Sequence, residues 1–488
     1  MLDTLKKYSY QIIIGLILIL GFIIRTNLFL SSNVFEDDEC RLAITMLDKN
    51  LWQMFLPLGD AQSAPPIFMF CSKILANLFG YKERVLHFIP YIASIASLWV
   101  FYKVCKNYFS KKITTAIGLF LFSVNLLLIY FSFTFKQYSL DVLVALVCIY
   151  YFPKIDIKNL DVKKMIGLSV SLILLPLISL PSLFFIAGLF ISNLISDWKN
   201  KEFYKKSLVL LLPFLLVMGL YYWFVLLPSK IDLDYYFPNY WEDGFLTLSI
   251  SSLLKLILFN LRFLFAPNKL VLFPFILFLW GVVTCFLDKT ETRKTSYLLV
   301  GTLAMATVAS LLKLYPIAGR VILYLTGVFI LLILRPLELS KNKKAFLPIL
   351  LVTVLGFVQY SPAYLYRLRN DNEMVKFAPE SLMQILIKKF NPDKDMILCN
   401  SASVSSYLFY SSRNKFYTDN VRNITRLATK DIADEYFDGL KKNQRYWFYL
   451  IKDYGNAEEF PFILKNINKR KVLYYKKDRE SMLIYVQN

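Results

Sequence analysis

Apolar stretches recur along the whole 488-residue chain, and several approach the ~20 residues that a helix needs to cross ~30 Å of hydrocarbon. About eleven such stretches fall near residues 10–30, 87–104, 113–131, 138–152, 165–180, 182–196, 207–227, 269–287, 296–314, 316–335 and 345–361. The composition agrees, with 57% hydrophobic residues, only 19% charged ones and a mean hydropathy of +0.48. These features predict an all-α polytopic membrane domain. The first stretch has no clear cleavage site behind it and many spans after it, so a retained signal anchor is expected rather than a removed signal peptide.

The net charge of +21 raises the question of nucleic acid, and the placement of the charges answers it. Lys6 and Lys7 precede the first stretch. Lys103, Lys106, Lys111 and Lys112 follow the second, and Lys154, Lys158, Lys163 and Lys164 follow the fourth. Lys199, Lys201, Lys205 and Lys206 follow the sixth, Lys289, Arg293 and Lys294 the eighth, and Lys341, Lys343 and Lys344 the tenth. Every second loop is basic. This is the positive-inside pattern, and it predicts a cytoplasmic amino terminus. Topology and contact with anionic lipid account for much of the charge, so no nucleic-acid partner is expected.

The opposite side carries two long loops, 31–86 and 228–268. An odd number of spans places the tail there too. The expected division is a membrane domain over 1–362, including both loops, and a small extracytoplasmic α/β domain over 363–488. In the tail, "DMILC" (395–399), "RYWFYLIK" (445–452), "KVLYY" and "MLIYV" read as strands, and "SASVSSYLFYSS" and "AEEFPFILKNI" as helices. No inverted internal repeat of the kind found in many secondary transporters is evident. The six cysteines are scattered without a CxxC, and His87 is the one histidine. A zinc site, a disulfide framework and a Ser-His-Asp triad are therefore not expected.

Directly after the first stretch comes "SSNVFEDDECRLA" (31–43), with Glu36, Asp37, Asp38 and Glu39 side by side. Spacing alone leaves two readings level. In one, Asp37 or Asp38 caps a short interfacial helix and the other acids are solvated. In the other, the acids do chemistry.

"DDECRLA" resembles the acidic DE-x-R-h-A signature (h, apolar) of the GT-C class of integral-membrane glycosyltransferases. The likeness is strongest to the bacterial protein O-mannosyltransferase-like group that includes the lipid A aminoarabinose transferase. Asp38 and Glu39 match the two acids and Arg41 the arginine. A Pro-Pro pair later in the loop matches "QSAPPIFMF" at Pro65 and Pro66, although Ala64 stands where some members carry Lys or His. A "G-x-x-E-x-x-x-R" stretch is similar to "GYKERVLHF", with Gly80 and Glu83 present and His87 in place of the arginine. An "R-x-Y-s-L" motif is similar to "FKQYSLD", with Lys136 for the arginine and Tyr138 retained. A "YP…R" motif is similar to "YPIAGRVILYL", with Tyr315, Pro316 and Arg320. The resemblance covers about residues 1–335. It implies a GT-C fold, a polyprenyl-phosphate-linked sugar as donor, and inversion at the anomeric carbon.

Sugar transfer from a lipid phosphate requires a base for the acceptor hydroxyl and cations for the departing phosphate. Adjacent carboxylates raise one another's pKa, which strengthens a proton acceptor at neutral pH. Asp38 is the expected base and Glu39 the second choice. A divalent cation held by Asp38 or Glu39 is the rival role; no other cofactor is expected. Arg320, in an apolar run where charge is costly, is the expected phosphate ligand, with snorkelling to the headgroups as the alternative. Lys136 is a second phosphate candidate or an ordinary interfacial lysine, and Tyr138 goes with it. Arg84 and His87 rank lower, and Asp141 is expected to pair with a polar neighbour. Segment 247–265, "TLSISSLLKLILFNLRFLF", puts Ser252, Lys255 and Arg262 on one face of an interfacial helix. Lys255 and Arg262 read first as headgroup anchors and otherwise as contacts to a lipid pyrophosphate or an anionic acceptor. Arg41 and Tyr315 are candidate substrate contacts. Tyr235, Tyr236, Tyr240 and Trp241 fit an interfacial aromatic belt.

These features converge on a glycosyltransferase of the bacterial cytoplasmic membrane. Its partners would be a polyprenyl-phosphate-sugar donor, the bilayer, and a glycan, lipid or protein acceptor. The alternatives are a polytopic transporter or lipid-linked-sugar flippase, and an assembly protein whose acids bind a partner.

Overall fold

A computed structural model describes residues 2–31, 34–59, 62–229, 242–265, 271–339, 351, 379–424, 430–452, 459–478 and 481–488. The chain divides into two units. One comprises Met1–Ser31, Met54–Ile74 and Leu86–Leu365; the other comprises Ser32–Gln53, Leu75–Val85 and Tyr366–Asn488. The second unit gathers two stretches of the first long loop together with the tail, whereas the sequence suggests one boundary at 362/363.

In chain order the helices are α1 (Leu2–Ser31), α2 (Asp37–Asp48), α3 (Pro66–Phe79), α4 (Glu83–Tyr108), α5 (Lys112–Ser123), α6 (Leu126–Tyr130), α7 (Tyr138–Tyr151), α8 (Val162–Ile178), α9 (Ser182–Asp197), α10 (Lys201–Tyr221), α11 (Ile250–Phe265), α12 (Leu272–Phe286), α13 (Arg293–Leu311) and α14 (Thr326–Leu339). Four more lie in the tail: α15 (Pro379–Lys389), α16 (Val404–Arg413), α17 (Lys430–Asp438) and α18 (Phe460–Asn468). Ten of the eleven expected apolar stretches carry helix. The eleventh, 345–361, lies outside the described residues but for Leu351. Among the described residues, five segments are long and apolar enough to cross a bilayer: Ser9–Ser31, Glu83–Tyr108, Lys201–Ser229, Arg293–Leu311 and Gly319–Glu338. A sixth is the pair Lys112–Ser123 and Leu126–Phe133, bent by 52°.

Helices of the first unit approach closely where a side chain is missing. A Cβ on Gly188 of α9 would lie 2.7 Å from Thr302 Oγ1 of α13, and one on Gly281 of α12 only 2.0 Å from the Leu332 carbonyl oxygen of α14. Small residues at such crossings let apolar helices pack by dispersion where no hydrophobic drive separates protein from lipid.

Two arginines that the sequence reading passes over are fully buried here. Arg25 of α1 donates to the carbonyls of Ser123 (2.7 Å) and Gly21 (3.1 Å) and to Ser94 Oγ (2.8 Å). Ser123 ends α5 at the bend, so this cation meets the negative end of a helix whose last carbonyls lack intrahelical donors. On the other side of the bend, Asn125 caps α6 by accepting the Leu128 N–H (3.1 Å). Arg335 of α14 is ion-paired to buried Asp288 and donates to Thr292 Oγ1 (2.7 Å), with its guanidinium 4.4 Å above the Tyr108 ring. Arg320, expected as the costly buried charge of this apolar run, is half-buried; Arg335 holds that position.

The run 316–335 is not a uniform span. Gly319, at φ +64°, opens a 3₁₀ segment, Gly319–Leu325, and α14 begins only at Thr326. A glycine takes up this left-handed backbone without steric cost.

The tail is an α/β unit with a five-stranded sheet. The strands are β1 (Asp395–Asn400), β2 (Val421–Ile424), β3 (Arg445–Ile451), β4 (Lys471–Asp478) and β5 (Ser481–Gln487), in the order β2-β1-β3-β5-β4. β1 runs parallel to β2 and β3, and β5 antiparallel to β3 and β4. β3 is buried from Tyr446 to Ile451, which explains its unbroken apolar sequence. The buried carboxylate of Asp395 is fully engaged. It is paired with Arg445 Nε (3.0 Å) and accepts from Trp447 Nε1 (3.1 Å), the Tyr485 hydroxyl (2.9 Å) and the Asn391 N–H (2.8 Å). The tail strands and helices expected from sequence are present; α15, β2 and α17 are additional.

Candidate active site

The four adjacent carboxylates are sorted by the start of α2. Its N-cap is Glu36, not Asp37 or Asp38, and the cap is a capping box with Glu39. The Glu39 carboxylate accepts the Glu36 N–H (2.9 Å) and is buried. Asp37 pairs with Arg41 one turn on (2.9 Å). Asp38, at the second helical position, is half-buried. Three acids in the first turn sit where the exposed N–H groups favour negative charge. The face formed by Glu39, Cys40, Leu42, Ala43, Thr45 and Met46 is buried, as the apolar spacing requires. Asp38, Glu39 and Arg41 all belong to the second unit.

Lys136, Tyr138, Lys255, Arg262, Tyr315 and Arg320 belong to the first unit. Lys136, almost fully buried just before α7, donates to Gln62 Oε1 (3.0 Å). Gln137 reaches the Ser63 carbonyl (3.4 Å), and Phe135 packs against Phe68 at 5.6 Å between ring centroids. The "FKQYSLD" motif therefore grips the segment leading into Pro65 and Pro66. Tyr138 opens α7 with its ring edge-on to Phe131 (4.9 Å). Asp141, one turn along, is buried, and its Oδ1 has no hydrogen-bond partner among the described residues. A carboxylate in an apolar helix costs free energy, so sites of this kind are generally functional.

Tyr315 donates to the Val321 carbonyl (3.2 Å) and lies edge-on to Phe184 (5.3 Å) and Tyr324 (6.2 Å). Arg320 follows within the 3₁₀ segment. α11 is joined to this region by Asn260, whose amide donates to the Ile317 carbonyl (2.6 Å). Asn125 at the α5/α6 bend donates to the carbonyl of Leu264, one turn further along α11 (2.9 Å). Leu256, Leu261 and Leu264 are buried, and Lys255 and Arg262 are exposed, which gives the two-faced helix that the spacing predicts. His87 is fully buried, and Arg84 is exposed. Tyr235, Tyr236, Tyr240 and Trp241 lie outside the described residues. Among the described residues, no group of three or more His, Cys, Asp or Glu is arranged to hold a metal ion.

The sequence reading missed Gln62, Asn125 and Asn260. Asn125 and Asn260 are buried amides in apolar runs, and the isolated amide in "LILFNLRF" is the available signal for Asn260. Gln62 lies in the polar stretch "GDAQSAPP", which gives no such signal.

This architecture, a polytopic helical unit with broken spans and a small α/β tail, is the GT-C fold of membrane glycosyltransferases. ArnT from Cupriavidus metallidurans in its apo state superimposes with a TM-score of 0.54 at 11% identity, covering 98% of each chain. The same protein bound to undecaprenyl phosphate gives 0.51 at 11% identity, covering 97% of each. The oligosaccharyltransferase AglB from Archaeoglobus fulgidus, in complex with an inhibitory peptide and a dolichol-phosphate, gives 0.50 at 12% identity over 98% of this chain and 74% of its own. No protein-family model matches the chain. No curated protein matches it by sequence either. The likeness is one of fold.

Proposed function

We propose that this chain is an integral-membrane glycosyltransferase. It moves a sugar from a polyprenyl-phosphate carrier to an acceptor hydroxyl on the extracytoplasmic side of a bacterial cytoplasmic membrane. The observation that carries the reading is a GT-C fold along the full length of the chain, with the acid signature directly after the first span. Two solved proteins of this fold hold an undecaprenyl phosphate and a dolichol-phosphate, which supports a lipid-phosphate donor.

In this reading Asp38 takes the proton from the acceptor hydroxyl as its oxygen attacks the anomeric carbon. The new glycosidic C–O bond forms as the bond from the anomeric carbon to the phosphate oxygen breaks. The electron pair leaves with the polyprenyl phosphate, and the anomeric carbon is inverted. Arg320 and Lys136, with the Tyr138 hydroxyl, meet the charge that develops on the phosphate. Glu39 serves mainly to fix the start of α2, because its carboxylate is committed to the cap. Tyr315, Lys255, Arg262 and Arg41 remain substrate contacts in the proposal. No step is routed through a metal.

The test is sugar transfer by the full chain in bilayers containing a polyprenyl-phosphate sugar, followed by the release of free polyprenyl phosphate. Arg320→Ala should raise the KM for the donor by about 10-fold or more, the loss expected for a charge-assisted contact. An unchanged donor KM removes Arg320 from the site. Ion-coupled solute uptake without release of lipid phosphate would favour a transporter instead.

A further inference from the structure

α2 has only 12 residues, and a helix of that length is marginal in water without a packing partner. Its partner within the second unit is α16, more than 350 residues along the chain. Cys40, fully buried between Glu39 and Arg41, lies with Sγ 3.6 Å from Ser406 Oγ. Phe35, just ahead of the cap, meets Phe409 edge-on at 5.3 Å.

A second linkage joins the same two helices through the turn at residues 80–83. Gly80, at φ +88°, lets the chain reverse. The Tyr81 hydroxyl then reaches the carbonyl of Met46, in the last turn of α2 (3.4 Å), as well as Asn77 Oδ1 (3.0 Å). Two residues on, the buried carboxylate of Glu83 accepts from the Tyr410 hydroxyl (2.8 Å) and from Arg413 Nη1 (3.2 Å), both on α16. Arg413 also donates to the Tyr81 carbonyl (3.3 Å) and pairs with Glu380 of α15. The acid helix is therefore held near both ends, and both holds lead to α16.

We infer that α16 of the tail is a positioning element for the transfer reaction, with Tyr410 and Arg413 as positioning residues that act on Asp38 through Glu83, Tyr81 and α2. This inference rests on the glycosyltransferase reading. It gives the "GYKE" motif a role in placing the base rather than in touching substrate. It also makes the tail a working part of the reaction rather than an appendage. A base displaced by about 1 Å loses rate by up to about 100-fold, and donor binding to cations elsewhere is untouched. The expected signature is therefore a loss in kcat with an unchanged donor KM.

The experiment uses the full chain in bilayers with Arg413→Ala and, as a milder variant that keeps the ion pair, Tyr410→Phe. Three quantities are read: kcat, donor KM, and amide hydrogen exchange of the peptide spanning 35–48 against peptides from β1, β3 and β5. The inference expects Arg413→Ala to lower kcat by about 10- to 100-fold, Tyr410→Phe by less, and donor KM to stay within about twofold. It also expects faster exchange confined to 35–48, with the sheet peptides unchanged. Unchanged exchange in 35–48 in both variants overturns it. So does exchange that rises equally across the sheet, or a kcat equal to the parent's. If the parent itself transfers no sugar, the glycosyltransferase reading fails, and the exchange data still decide whether α16 holds α2.

Discussion

Leu216 on α10 and Tyr417 in the tail are exposed to similar degrees, 66% and 76% of their surface. Their surroundings give that exposure opposite meanings. Around Leu216 the helix presents Leu208, Leu212, Leu215 and Leu220 outward, while the interior of the same unit holds Arg25, Arg335 and Asp288. Around Tyr417 the tail follows the usual order. Trp447, Phe448 and Leu450 are inside, and a deeply buried carboxylate of the sheet, Asp395, has four partners. An apolar exterior with hydrogen-bonded charges within is the pattern of a unit solvated by lipid, where a buried polar group costs free energy unless it finds a partner inside. The tail is built for water.

The sharpest way to break this contrast is at the Asp288–Arg335 pair. Arg335→Leu leaves Asp288 buried without its counter-ion and should lower the unfolding free energy by about 3–5 kcal/mol. Replacing both residues with leucine should recover most of that loss, because an apolar interior suits neither charge. Thermal unfolding in detergent reads both. A double variant as unstable as the single one would show that the pair holds the helix ends in a way apolar packing cannot replace.

The next effect concerns the outer faces. Leu216→Asp puts a carboxylate near the middle of a span and should cost about 2.5–3.5 kcal/mol in membrane insertion, measured as the fraction of chain inserted. Tyr417→Asp, at a comparably exposed site in the tail, should stay within about 0.5 kcal/mol in stability. Equal costs at the two positions would mean that both units face the same solvent.

The contrast also explains what could be read from the sequence. Helical spans are legible because lipid demands long uninterrupted apolar runs, and ten of the eleven expected stretches carry helix. Strands such as "RYWFYLI" are legible because burial on both faces leaves an unbroken apolar run. Short elements with mixed faces were not. β2 has four residues, two of them the polar Arg422 and Asn423, and α17 reads as an acidic loop. The opening of the late span as a 3₁₀ segment depends on Gly319 adopting positive φ, which a glycine permits and does not announce. Pairings between distant residues were the least legible. Asp288 meets Arg335 across 47 positions and Cys40 meets Ser406 across 366, and no local pattern encodes either contact. In the candidate site, the residue types of the motifs were readable. The sorting of the acids into cap, ion pair and Asp38 was not, because it is decided by where the helix begins.

The central claim is that Asp38 is the base of a sugar transfer from a lipid phosphate. It is tested most directly with Asp38→Asn in the full chain, by measuring polyprenyl phosphate released per enzyme per second beside an unchanged unfolding temperature. The account predicts that release falls by at least about 100-fold while the variant folds and inserts like the parent. Release at near the parent rate from a folded, inserted variant would contradict it.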